Sequence, residues 1–214
     1  MKPLRLLGKI LAWLFRFFIL LMGFSYYSKD NITGFIFFLL TFILTLVPIM
    51  LEQLYKIKFH WLVELTISFL LAVHMFGFYG AYIWYPVYDD FAHAIGSAMA
   101  ALIGFAFIYS LNYANRVKVS LPGMGVFTFL WTMALGAIWE IIEFTWDNIT
   151  IFSYKYGFSQ NSLLDTMTDL SLDALAGIVI ALFCVFLVRR ATKKSIDQVF
   201  SPFARMIEHK KPRG

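Results

Sequence analysis

Charge is scarce in this chain. Only 14% of its 214 residues are Asp, Glu, Lys or Arg, against about 25% in soluble domains. Cysteine is almost absent. Cys184 stands alone, which excludes an internal disulfide and any multi-cysteine metal site. The chain has no phosphate-cradling glycine loop, no serine–histidine–acid pattern and no nucleic-acid-binding module. No repeat or low-complexity linker interrupts it. What remains is apolar: 60% of the residues are hydrophobic, and 24 are phenylalanine. A chain of this length cannot hide that excess in a soluble core, so lipid must be the solvent for much of its surface.

Six apolar segments follow one another, at about Ile10–Tyr27, Ile32–Leu51, Phe59–Tyr79, Val87–Leu111, Met124–Phe144 and Asp165–Val188. Each is long enough to cross roughly 30 Å of hydrocarbon at about 1.5 Å per residue. Without water to satisfy the backbone, such segments must be helices. The expected fold is therefore all-α: a polytopic membrane helical bundle of about six transmembrane helices over residues 1–190. A basic tail, residues 191–214, follows it. Arg16 interrupts the first segment, and it also argues against reading that segment as a cleaved signal peptide.

The net charge is +5. Its distribution fits membrane topology better than nucleic-acid binding. With the N-terminus inside, only Lys29 and Lys155 of the 18 basic residues fall outside. Basic residues favour the cytoplasmic side, so both termini are expected there, in a cell (inner) membrane. Membrane lipids are the expected partners. The tail alternates basic and apolar residues, as an amphipathic helix on the inner membrane surface does, and equally as a solvated basic tail can.

The same orientation places the acids. Asp89, Asp90 and His93 fall at the outer end of the fourth segment. Glu140, Glu143 and Asp147 fall at the outer end of the fifth, and Asp165, Asp169 and Asp173 at the outer end of the sixth. His74 belongs to the outer half of the third and reads most simply as a core histidine. Asp89, His93 and Ser97 are spaced i, i+4, i+8, as are Asp165, Asp169 and Asp173. Glu140, Glu143 and Asp147 are spaced i, i+3, i+7. Each set shares one helix face, and a carboxylate facing lipid is costly, so these faces should turn inward. Gly96, Ala100 and Gly104 form a small-residue stripe that allows close helix packing.

Carboxylates gathered this way, with no basic residue nearby, must be partly protonated or must bind a cation. Carboxylate and imidazole together suit a divalent metal such as Zn, Mn or Mg. His93, Asp89, Glu140, Glu143, Asp165, Asp169 and Asp173 are the candidate ligands. Asp89, His93, Glu140, Glu143 and Asp169 are the candidate catalytic groups for metal-assisted attack of water on a phosphate or ester. Two other classes stay open: a proton- or cation-linked transporter, and a hydrogen-bonded cluster that only holds the helices together.

At these residues the sequence resembles a known family. Asp89-Asp90-Phe91-Ala92-His93 followed by Gly96 resembles the D-x-x-x-H-x-x-G signature of the YjdF-type membrane-spanning family. Ile138-Trp139-Glu140-Ile141-Ile142-Glu143-Phe144 resembles its aromatic-flanked E-x-x-E motif. Leu164-Asp165-Thr166-Met167-Thr168-Asp169 followed by Ala176-Gly177 resembles its D-T-x-x-D motif. The resemblance covers roughly Phe59–Val188. A remoter similarity is to VanZ-like proteins. The resemblance implies a small bacterial or archaeal inner-membrane protein and implies no activity.

Overall fold

The computed structural model describes residues 2–85, 87–149 and 162–208, with the backbone alone for Lys2, Trp146 and Glu208. Lys155, Lys210, Lys211 and Arg213 lie outside the described residues. Among the described residues every regular element is a helix. Helices covering Pro3–Tyr27, Trp61–Trp84, Tyr88–Tyr113, Leu121–Thr145 and Leu163–Arg190 are each long and apolar enough to cross a membrane. A bent pair, Ile32–Thr45 with Val47–Tyr55, makes a sixth crossing if it is one span. The chain is an all-α, polytopic membrane protein. It divides into two compact units, Met1–Ala92 with Lys193–Gly214, and His93–Thr192.

The first unit is built on α1 (Lys2–Tyr27), α2 (Ile32–Thr45), α3 (Val47–Tyr55) and α4 (Trp61–Phe76). Asn31 caps α2, its side chain accepting from the Gly34 N–H at 2.9 Å. Ile19, Met22, Phe38, Ala72 and Met75 form the buried core between α1, α2 and α4. The expected second span is bent by 40° between α2 and α3. Pro48, in the first turn of α3, supplies no N–H to the turn before it. The third span also breaks. A π-helical turn, Gly77–Ala81, joins α4 to the single turn α5 (Tyr82–Trp84), and Gly80 sits there at φ 155°. Only glycine adopts that backbone readily.

Arg16 is fully buried in this unit. Its Nη2 lies 3.5 Å from Glu64 Oε2 on α4 and donates to the Thr45 carbonyl at 3.0 Å, while its Nε donates to Thr45 Oγ1 at 3.3 Å. The Trp13 ring lies 4.9 Å from the guanidinium. Lys9 Nζ approaches Glu64 Oε1 at 3.9 Å from a more exposed position. The charge that interrupts the first apolar segment is thus compensated across two helices. The tail supplies the last helix of this unit, α9 (Lys193–Glu208). Phe200 and Ala204 on it are buried, and Phe203 packs on Phe59 with ring centroids 4.8 Å apart.

The second unit holds most of α6 (Tyr88–Tyr113), with α7 (Leu121–Asn148) and α8 (Leu163–Arg190). Close approaches pair Gly125 with Val185, Gly177 with Thr132, and Gly136 with Asp173, so α7 and α8 run antiparallel. Gly104 on α6 receives the Trp131 ring of α7, and Phe107 stacks on that ring at 5.9 Å. His93 on α6 stands level with the end of α7 and the start of α8.

Candidate functional site

Three stripes at four-residue spacing meet in this second unit. On α6 the stripe is His93, Ser97 and Ala101. On α7 it is Thr128, Thr132, Gly136 and Glu140. On α8 it is Asp169, Asp173, Gly177 and Ala181. Four residues advance a helix by slightly more than one turn, so each stripe forms one face. All of these side chains are buried apart from Gly136, which is half-buried. The threonine hydroxyls donate back within α7, Thr128 to the Met124 carbonyl at 2.8 Å and Thr132 to Thr128 at 2.9 Å. The lower part of the interface is thereby satisfied locally. The charged groups gather above it.

His93 is the centre of that group. Its Nε2 lies 4.0 Å from Glu140 Oε1. Its Nδ1 lies 3.8 Å from Asp169 Oδ1 and 3.9 Å from Asp173 Oδ1. These separations suit ion pairs and exceed hydrogen-bond length. His93, Glu140 and Asp169 can each offer one ligand atom such that all three lie within 4.8 Å of one another. Relative exposure is 8% for His93, 5% for Glu140, 2% for Asp169 and 1% for Asp173. Ser97 Oγ donates to Asp173 Oδ1. The other oxygen, Asp173 Oδ2, is buried and has no hydrogen-bond partner among the described residues. Three buried carboxylates beside one imidazole leave an excess of negative charge that protons or a cation must offset.

Of the remaining sequence candidates, Asp165, Glu143 and Asp147 belong to the same unit, and Asp89, Asp90 and His74 to the first. Asp165 is half-buried in the first turn of α8, one turn before Asp169, and its N–H donates to the capping Ser162 Oγ at 3.2 Å. Asp89 is half-buried one turn before His93 on α6. Glu143 is half-buried, and its Oε1 accepts from Trp139 Nε1 of its own helix at 2.8 Å. Asp147 is half-buried nearer the end of α7, and Asp90 is exposed. His74, in the first unit, is hydrogen-bonded to Tyr82 at 3.2 Å. Gly136 was not among the candidates, yet a Cβ there would collide with the Asp173 carboxylate. Its signal was positional: it lies one turn before Glu140 on the same face.

These features define a class: a polytopic α-helical membrane protein with an acid–histidine group buried among three of its helices. More particularly, the chain belongs to the DUF2238 family of predicted membrane proteins, whose family model matches residues 10–190. That match accords with the resemblance to the YjdF-type family. No curated protein and no solved structure matches the chain.

Proposed function

We propose that His93, Glu140 and Asp169 bind a divalent cation, zinc, manganese or magnesium, for hydrolysis or group transfer on a lipid or envelope precursor. The observation that carries this is the convergence of three buried ligand atoms within 4.8 Å from three separate helices. Closing ligand-atom separations of at most 4.8 Å onto one ion requires side-chain shifts on the order of 1 Å or less, given bond lengths of about 2.0–2.2 Å. The buried Asp173 Oδ2, which has no hydrogen-bond partner among the described residues, supports the reading from a second side. Held by His93, Glu140 and Asp169, such an ion would supply Lewis-acid polarisation of a phosphoryl or carbonyl oxygen and a lowered pKa for water at the site. Asp173, oriented by Ser97 and Gly136, stands beside His93 as the base that receives a proton. Asp165 and Glu143 shape the approach. The distribution of basic residues supports an inner-membrane location, cytoplasmic termini and a site near the outer leaflet.

Elemental analysis of the detergent-purified protein tests the proposal. Zinc, manganese or magnesium should copurify and be lost in Asp169→Asn and His93→Ala. Hydrolysis of phosphate- or ester-bearing lipids in proteoliposomes should stop with a chelator and return with the metal. Activity in rigorously metal-free protein would refute the metal centre.

One observation favours a second reading. Both ring nitrogens of His93 face carboxylates, Glu140 on one side and Asp169 and Asp173 on the other. A two-sided imidazole can pass a proton between acids. Proton- or cation-coupled flux in proteoliposomes, abolished by His93→Ala, would establish transport in place of hydrolysis.

A further inference from the structure

The tail helix α9 encloses a second feature, remote in chemistry from the acids. An open groove of about 580 Å³ lies between it and the α3–α4 loop. Lys58, Lys193, Lys194 and Arg205 line it, with Asp197 the only carboxylate among its lining residues and Ser201 offering a hydroxyl. Lys58 is anchored at the rim. Glu52 Oε1 accepts from the Phe59 N–H at 2.7 Å, and Lys58 Nζ reaches Glu52 Oε2 at 3.3 Å. Arg205 Nη2 lies 3.5 Å from Ser201 Oγ.

The arrangement of α9 decides what the groove is for. An amphipathic helix that binds a bilayer by insertion turns its apolar face to the lipid. Here Phe200, Phe203 and Ala204 are turned to the protein, where Phe203 meets Phe59. The basic face is what remains accessible: Lys193, Lys194 and Arg205 are all exposed. Both chain segments that form the groove also adjoin helices long and apolar enough to cross a membrane. Lys58 precedes the span Trp61–Trp84 by three residues, and Lys193 follows the span Leu163–Arg190 by three. A cationic groove next to membrane spans is suited to lipid phosphates.

We propose that the groove between the α3–α4 loop and α9 binds the phosphate headgroup of an anionic membrane lipid. The lysines and Arg205 supply charge-assisted hydrogen bonds to the phosphate oxygens, and Ser201 supplies a neutral one.

The test uses the full-length protein in nanodiscs of phosphatidylcholine, with or without phosphatidylglycerol, and native mass spectrometry of the released protein. Phosphatidylglycerol should be retained in preference to phosphatidylcholine and should raise the unfolding temperature. Each of Lys193→Gln, Lys194→Gln and Arg205→Gln should weaken retention about fivefold, and the Lys→Arg variants should restore it. The glutamine variants should keep the unfolding temperature of wild type in pure phosphatidylcholine, which separates lost binding from lost folding. Equal protection by inorganic phosphate would overturn the lipid assignment. Undiminished retention in the triple glutamine variant would overturn the site.

Discussion

The carboxylate of Asp173 on α8 occupies the space that a Cβ at position 136 of α7 would need, and Gly136 leaves that space open. The two helices are drawn together at the depth where His93, Glu140 and Asp169 converge. Gly136→Ala should therefore act on the site through Asp173. Either the carboxylate swings away from Ser97 and His93, or the helices separate. Overpacking of this kind costs about 1–3 kcal/mol. Thermal unfolding in detergent should show the loss, and copurifying metal should fall with it. Asp173→Ala in the Gly136→Ala background should recover stability, since the collision is removed, while leaving function impaired. Full metal content and wild-type stability in Gly136→Ala would show that the interface yields without disturbing the site.

Arg16 and Glu64 form the opposite case, a buried pair with matched charges in the first unit. Removing one partner strands the other in apolar surroundings, at a cost of about 3–5 kcal/mol. Arg16→Met and Glu64→Gln should each lower the unfolding temperature sharply. The double variant should lose less than the sum, because neither charge is left behind. A strictly additive double-mutant cycle would show that the pair is not coupled. Lys9 and Thr45 must stay unchanged in such a cycle, since both touch the same pair.

The helices were legible because hydropathy over windows of span length reads a constraint that the bilayer imposes on the backbone itself. The breaks were not. Pro48 and Gly80 act on single residues, and a window average conceals them. The convergence of His93, Glu140, Asp169 and Asp173 followed from phase and helix direction, both of which the sequence carries. At i+3 from Glu140, Glu143 shares the broad face, and its Oε1 accepts from Trp139 on its own helix. Arg16 finding Glu64 depended on how α1 and α4 pack, and nothing in the local sequence of either residue names the other. Gly136 carries no charge or chemistry to attract notice. Only the side chain that fills its empty space explains it.

Gly80 gives a prediction that separates backbone strain from crowding. Its φ of 155° is open to glycine, and the Trp84 ring occupies the place of a missing Cβ. Gly80→Ala should destabilise the first unit by about 1–3 kcal/mol through backbone strain, with a further penalty from the ring. Adding Trp84→Ala should relieve only the steric part. Complete rescue by the double variant, measured by thermal unfolding, would assign the whole effect to the ring.

His60 should make the entrance to α4 sensitive to pH. Its Nδ1 accepts from the Leu62 N–H at 3.5 Å, a long capping contact that needs an unprotonated nitrogen. Burial, and after it the charge of Arg5, lowers its pKa from the usual 6.5. The folded chain thus binds fewer protons on this ring than the unfolded chain does, so stability rises with pH through the interval between the two values. The contribution is fully present above 6.5 and is lost as pH falls through the folded value. Hydrogen exchange at the Leu62 and Val63 amides, corrected for the intrinsic rate, should report more frequent opening near pH 5 than near pH 7.5. His60→Asn caps a helix without titrating. It should flatten that dependence and leave the first turn of α4 closed at both pH values. An unchanged pH dependence in His60→Asn would place the titrating group elsewhere.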